Sequence, residues 1–138
     1  MSETNIDDMS PELTGYVVEK LFEGGALDVF LTPIFMKKNR PATMLSVLCT
    51  QERVEALTGV ILTETTTFGV RRYTVERSKL ARDFVEVATQ WGVVRVKRGY
   101  WGDGVIKTVP EYEDCKRLAE ENEVALRQVF EEAIRCLS

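Results

Sequence analysis

Histidine is absent from all 138 residues. With it go the usual imidazole ligand for zinc or nickel and the commonest general base near neutral pH. Any chemistry must therefore run on carboxylates, ammonium and guanidinium groups, hydroxyls or thiols. Cysteine is nearly as scarce: Cys49, Cys115 and Cys136 are widely separated and odd in number. That argues against a disulfide framework or a CxxC metal site, and the three read as buried thiols. No apolar run approaches the ~18 to 20 residues of a membrane-spanning helix, and the N-terminus lacks a basic stretch followed by an apolar one. A membrane role is not expected, and the cytoplasm is the expected compartment. Low-complexity tracts and internal repeats are missing too. Positive charge is not in excess: the net charge of −4 argues against a protein that coats nucleic acid by neutralising phosphates. What is present is ordinary for a folded chain, 44% apolar and 29% charged, enough for a real core. The length suits about one domain, or a compact body with an appended lobe.

The local patterns give an order of elements. Thr4 to Asp8 reads as a short strand. Ser10 is a good N-cap and Pro11 suits the first helical position, followed by a stripe of Leu13, Val17 and Leu21 and a stop at Gly24 and Gly25. "LDVFLTPIFM" and "TMLSVLC" are β-type runs that should pair as a hairpin across the turn "KKNRPA". Thr50 then caps a helix carrying Val54, Leu57 and Ile61, and "TTFGVRRYTVE" returns to strand composition. The order β-α-β-β-α-β predicts a ferredoxin-like unit over residues 1–78. Residues 79–138 predict a small antiparallel meander, with turns at Gly92 and at Gly102 to Gly104, then two helices, the whole packed on the first unit. Pro110 is expected to open the first of these helices and Asn122 to end it; Leu126, Val129, Phe130, Ala133, Ile134 and Leu137 stripe the second. The fold class is α+β.

Strand directions in this topology send three connections to one end of the sheet: the first strand–helix loop "NIDDMS", the hairpin tip "MKKNRPA" and the loop "ETTTFGVRR". Asp7 and Asp8 either complement a helix dipole or hold a hydrated Mg²⁺ or Mn²⁺, which binds through one or two carboxylates plus substrate phosphates. Lys37, Lys38, Asn39 and Arg40 at the tip either protect an edge or contact phosphate. Thr66, Thr67 and Gly69 offer hydroxyls and close backbone approach, or simply β-propensity and a turn. Arg71 and Arg72 should point to opposite faces, so one of them can reach a ligand on the sheet. An acidic pair facing a basic tip suits a metal-bridged polyphosphate. Trp91, Tyr100 and Trp101 flank the hairpins of the second portion and suit packing against the helices, an interface or a base-stacking surface.

Four segments together, "ETNIDDMSPE", "GALDVFLTPIFMKKNRP", "ETTTFGVRRY" and "VPEYEDCKRLAEE", resemble the C-terminal region of the LarC family of nickel insertion proteins over nearly the whole chain. The resemblance implies part of an enzyme that inserts nickel into a pyridinium bisthiocarboxylate mononucleotide to make the nickel pincer cofactor of lactate racemase. In that reaction CTP is consumed to CMP and pyrophosphate through a CMP-protein intermediate. It implies that this chain is the CTP-binding part, with "KKNR" and "TTTFGVRR" as triphosphate contacts and Asp7 and Asp8 for the divalent ion. Ser10, Thr66 and the lysines are each chemically able to accept CMP. Family members are longer, with histidine-rich sequence in an N-terminal region that would act with this one, and a homo-oligomer, trimer or hexamer, is implied.

Two other readings fit the same topology. A ferredoxin-like unit can serve as a non-catalytic small-molecule-binding or oligomerisation module. A single-strand RNA binder should present aromatics on its first and third strands. "ETNID" and "TMLSVLC" present none.

Overall fold

The structure is a computed structural model that describes residues 1–137. It divides into two units, Met1–Glu76 and Arg77–Ser138.

In the first unit β1 (Ser2–Ile6), α1 (Pro11–Glu23), β2 (Asp28–Met36), β3 (Arg40–Leu48), α2 (Val54–Glu64) and β4 (Arg71–Arg72) follow one another. They form one sheet of order β2-β3-β1-β4 in which all neighbours are antiparallel. That is the split β-α-β arrangement the element order implied. Helix α1 begins where Ser10, in extended backbone, accepts a bond from the Leu13 amide at 3.4 Å, with Pro11 next. It ends at Gly24, and Gly25 at φ +93° makes the left-handed exit that a side chain would resist. The apolar stripe starts one turn later than expected: Val17 and Leu21 are buried but Leu13 is exposed. Together with Ile6, Val29, Leu45, Val47, Leu57 and Ile61 they make the core.

Three boundaries in this unit differ from the sequence reading. β1 begins at Ser2 and ends at Ile6, because its inward positions are Ser2, Thr4 and Ile6, and two small polar residues conceal the alternation. Asp7 and Asp8 therefore lie beyond the ladder, in the loop before α1. Thr50 makes no side-chain cap; a short 3₁₀ turn, Gln51–Arg53, intervenes and α2 starts at Val54. β4 has only two residues, since the hydroxyls of Thr65 and Thr67 hold the preceding segment in side-chain bonds of its own.

The second unit is the meander β5 (Ala81–Thr89), β6 (Gly92–Trp101) and β7 (Gly104–Pro110), then α3 (Tyr112–Glu121) and α4 (Leu126–Arg135). Val87, Val94 and Val96 pack against Cys115, Leu118, Ala119, Val129 and Ala133. Pro110 closes β7 instead of opening α3, because its register partner Val96 keeps it in the ladder. The left-handed stop is Glu123 at φ 54°, not Asn122, whose side-chain amide instead donates to the Leu118 carbonyl at 2.9 Å. Trp91 packs against this core, Trp101 is exposed, and the Tyr100 hydroxyl donates to Asp83 at 2.9 Å. Of the thiols only Cys115 is buried; Cys49 is half-buried and Cys136 exposed.

The β5–β6 turn gives a direct test. Gly92 sits at φ +137°, and a Cβ there would come within 2.8 Å of the Leu118 side chain. Gly92→Ala should therefore cost about 2 kcal/mol from backbone strain, and more from the contact, read as a lower midpoint in urea denaturation.

Candidate functional site

The three loops do meet at one end of the first unit's sheet. β2 and β3 pair over nine residues each, from Asp28↔Leu48 to Met36↔Arg40, whereas β1 stops at Ile6↔Thr43. The hairpin thus overhangs the sheet, and the Arg40 guanidinium lies 3.1 Å from the Asp7 carboxylate. From the other side the Thr66 hydroxyl donates to Asp8. One acid is engaged by the hairpin and its neighbour by the α2–β4 loop.

That loop is braced from within. The Thr4 and Thr67 hydroxyls are 2.5 Å apart, and both reach the Gly69 carbonyl, at 2.9 and 3.0 Å. Thr65 donates to the Ile61 carbonyl at 2.7 Å and accepts from the Thr67 amide at 3.2 Å. Thr67 and the Gly69 carbonyl are therefore used by the loop itself, while Thr66 is the hydroxyl at the acidic corner. Lys37, Lys38 and Asn39 form the exposed 3₁₀ turn at the tip. Lys38 and Asn39 both take left-handed backbone, φ 61° and 57°, which Asn tolerates and Lys does not favour. Neither lysine belongs to an ion pair among the described residues.

Arg71 and Arg72 part company. Arg71 lies with Glu3 on the sheet face away from the core, donating to Asn5 at 2.9 Å with its guanidinium 3.6 Å from the Glu3 carboxylate. Arg72 pairs with Glu55 of α2 at 2.5 Å, on the helix side and remote from the acidic corner. Residues that pattern reading passed over complete the outer face: Tyr73 donates to Glu3 at 2.7 Å and Ser46 does so at 3.4 Å. That bond to a carboxylate, with some desolvation, holds the Tyr73 phenol above its ordinary pKa. The signal for Thr4 was its polar side chain at an inward strand position, which needs a partner.

The donor set decides which cation suits the corner. Two adjacent carboxylates are present, and no group of three or more His, Cys, Asp and Glu that could hold a metal occurs among the described residues. The corner cannot cage an ion alone. It fits Mg²⁺ or Mn²⁺, which accept one or two carboxylates and complete their shell with phosphate oxygens and water. No helix among the described residues is long and apolar enough to cross a membrane.

Comparison with known proteins bears on the whole chain. The model of the nickel insertion protein family matches residues 1–130. A pyridinium-3,5-bisthiocarboxylic acid mononucleotide nickel insertion protein of Acetivibrio thermocellus is 52% identical over 131 residues, 95% of this chain and 32% of that protein. The Thermotoga petrophila protein of the same name is 46% identical over 136 residues, 99% of this chain and 34% of its own. The chain thus spans about a third of the length of these relatives. Among solved structures, the apo form of LarC2, described as the C-terminal domain of a cyclometallase involved in synthesis of the NPN cofactor of lactate racemase, superposes with TM-score 0.93 at 45% identity, covering 99% of this chain and 94% of that one. A protein of Methanopyrus kandleri superposes with TM-score 0.73 at 26% identity, covering 96% and 81%.

Proposed function

Because the chain belongs to the nickel insertion protein family, we propose that it is the CTP- and divalent-metal-binding part of a CTP-dependent nickel insertase making the nickel pincer cofactor of lactate racemase. In this reading the pyridinium bisthiocarboxylate mononucleotide and nickel are substrates handled together with other parts of a longer polypeptide. The observation that carries the reading is the pair of contacts Arg40–Asp7 and Thr66–Asp8, which gather cationic, acidic and hydroxyl groups in one corner.

The chemistry is nucleotidyl transfer: a nucleophile attacks the α-phosphorus of CTP and pyrophosphate leaves. Asp7 and Asp8 would hold the Mg²⁺ or Mn²⁺ that, when bound, supplies charge neutralisation on the phosphates. Lys37, Lys38 and Arg40 bind and orient the triphosphate and offset the charge that grows on the leaving pyrophosphate. Thr66 orients Asp8, and Arg71 on the outer face would hold a further anionic group.

Arg40 has a double part. Its ion pair with Asp7 is exposed, the side chains retaining 56% and 21% of their surface, so the pair contributes little to stability and exchanges partners readily. With Asp7 holding the ion, Arg40 would be released from this pair and would bind phosphate. Arg40→Ala should therefore weaken binding of CTP with Mn²⁺ about tenfold, yet tighten binding of Mn²⁺ alone, by isothermal titration. Lys37→Ala should weaken only the former. Unchanged CTP affinity in both variants would remove the hairpin tip from the site. Release of pyrophosphate on incubation with CTP and metal separates a catalyst from a binding module, which would bind CTP without releasing it.

A further inference from the structure

The helices of the first unit pack on one face of its sheet, and the strand register sets a row of four side chains across the other. Phe30 of β2 pairs with Ser46 of β3, Ser46 with Glu3 of β1, and Glu3 with Arg71 of β4. Their neighbours Val29, Val47 and Ser2 are buried toward the core, so alternation turns these four outward. Glu3 is the fixed point of the row. Its side chain keeps 15% of its surface, and Oε1 accepts from both the Tyr73 and Ser46 hydroxyls, at 2.7 and 3.4 Å. Oε2 accepts no hydrogen bond among the described residues, Arg71 standing 3.6 Å away, too far to donate. It is not sealed in either, since the buried side-chain polar atom without a partner among the described residues is Thr58 Oγ1. Arg71 spends only Nη2, on Asn5 Oδ1 at 2.9 Å and Met44 Sδ at 3.4 Å. Two held charges of opposite sign, each with an unused edge, thus share a row with the half-exposed ring of Phe30.

We propose that this outer row binds the pyridinium mononucleotide substrate, with Phe30 against the flat ring, Glu3 opposite the positive ring nitrogen and Arg71 on the sugar phosphate. This rests on the proposed function for the class of substrate, but not on the acidic corner as the phosphate site. The order of the row matches the order of groups along the ligand: aromatic face, cation, anion. Adjacent strands lie about 4.8 Å apart, so the backbones of Phe30 and Arg71 are about 14 Å apart, a span that ring, ribose and phosphate bridge with the reach of the arginine. An aromatic face attracts a ring cation, and a carboxylate oxygen without a donor attracts it further. The same oxygen repels a chain of phosphates. A nucleoside triphosphate therefore suits this face poorly, whereas a cationic ring with a single phosphate suits it well. The acidic substituents of the ring, on the side away from the nitrogen, would lie toward the free edge of β2, clear of Glu3.

The test uses nicotinamide mononucleotide, a pyridinium mononucleotide, beside its reduced dihydropyridine form, which keeps the shape and phosphate but loses the ring cation. Isothermal titration of the unaltered chain should show the oxidised probe bound about tenfold more tightly than the reduced one. Glu3→Gln, whose amide oxygen can still accept from Tyr73 and Ser46, should bring the two affinities within twofold of each other. Phe30→Ala should weaken the oxidised probe about tenfold. Both variants should keep the parent's urea midpoint and its affinity for CTP with Mn²⁺. Equal affinity of the parent for the two probes overturns the proposal, and so does a preference that survives both substitutions. Loss of CTP binding in either variant also overturns it, by assigning the row to the triphosphate. If the parent prefers the oxidised probe but does not bind CTP with Mn²⁺, the corner reading fails and the outer row stands.

Discussion

Asp7→Asn should abolish the metal-dependent CTP binding proposed for this corner, a loss of roughly a hundredfold or more, while the thermal midpoint should move by no more than about 5 °C. The two halves of this expectation have separate causes. The carboxylate is one of two at the corner, and a neutral amide there removes half of the local negative charge that a divalent ion meets. Its structural role is small, since its ion-pair partner Arg40 is exposed and simply returns to water when the charge is gone. Asp8→Asn divides the roles differently. An amide oxygen still accepts from the Thr66 hydroxyl, so the loop keeps its tie while the charge is lost; Asp8→Ala loses both. Titration with Mn²⁺ in the presence of CTP, alongside a melting curve, checks all three. A large fall in midpoint with binding intact would make the pair a helix-dipole feature, as the nearby start of α1 would allow.

The parts of this corner that could be read from sequence are those where the chemistry is local or the topology forces it. Helix α1 was legible because its cap, its proline and its glycine stop are adjacent to the pattern they bound. The meeting of "NIDDMS", the hairpin tip and the threonine loop followed from strand directions alone. The destination of Arg72 was not legible: its partner Glu55 lies 17 residues earlier on a different element, and alternation says which face it takes but not what waits there. β1 was displaced by two residues because Ser2 and Thr4 are buried polar groups, which break the usual equation of inward with apolar. β4 was over-read for a related reason. Threonine favours strands by its branched side chain, but its hydroxyl also competes for backbone groups, and in Thr65–Gly69 the competition wins. Pro110, expected to open α3, instead closes β7 two residues before the helix, because the ladder holds it; Asn122 does end α3, but the left-handed residue is Glu123.

Leu21→Ala should lower the stability of the first unit by about 2 to 5 kcal/mol, the largest structural effect expected there. Leu21 has no exposed surface and packs among Val17, Val29, Leu45, Val47, Leu57 and Ile61, on the helix whose N-terminus follows the acidic pair. Truncation removes three heavy atoms from a core that the sheet and two helices hold at fixed spacing, so the cavity closes only in part. The same variant tests the site. A ligand that binds only the folded state at about 100 times its dissociation constant restores about 2.7 kcal/mol. CTP with Mn²⁺ should therefore recover much of the loss in Leu21→Ala, as a rise in the urea midpoint monitored by circular dichroism. It should recover none in the double variant with Asp7→Asn. Recovery in both would place the nucleotide away from the acidic corner, and recovery in neither would mean that the folded first unit does not bind it.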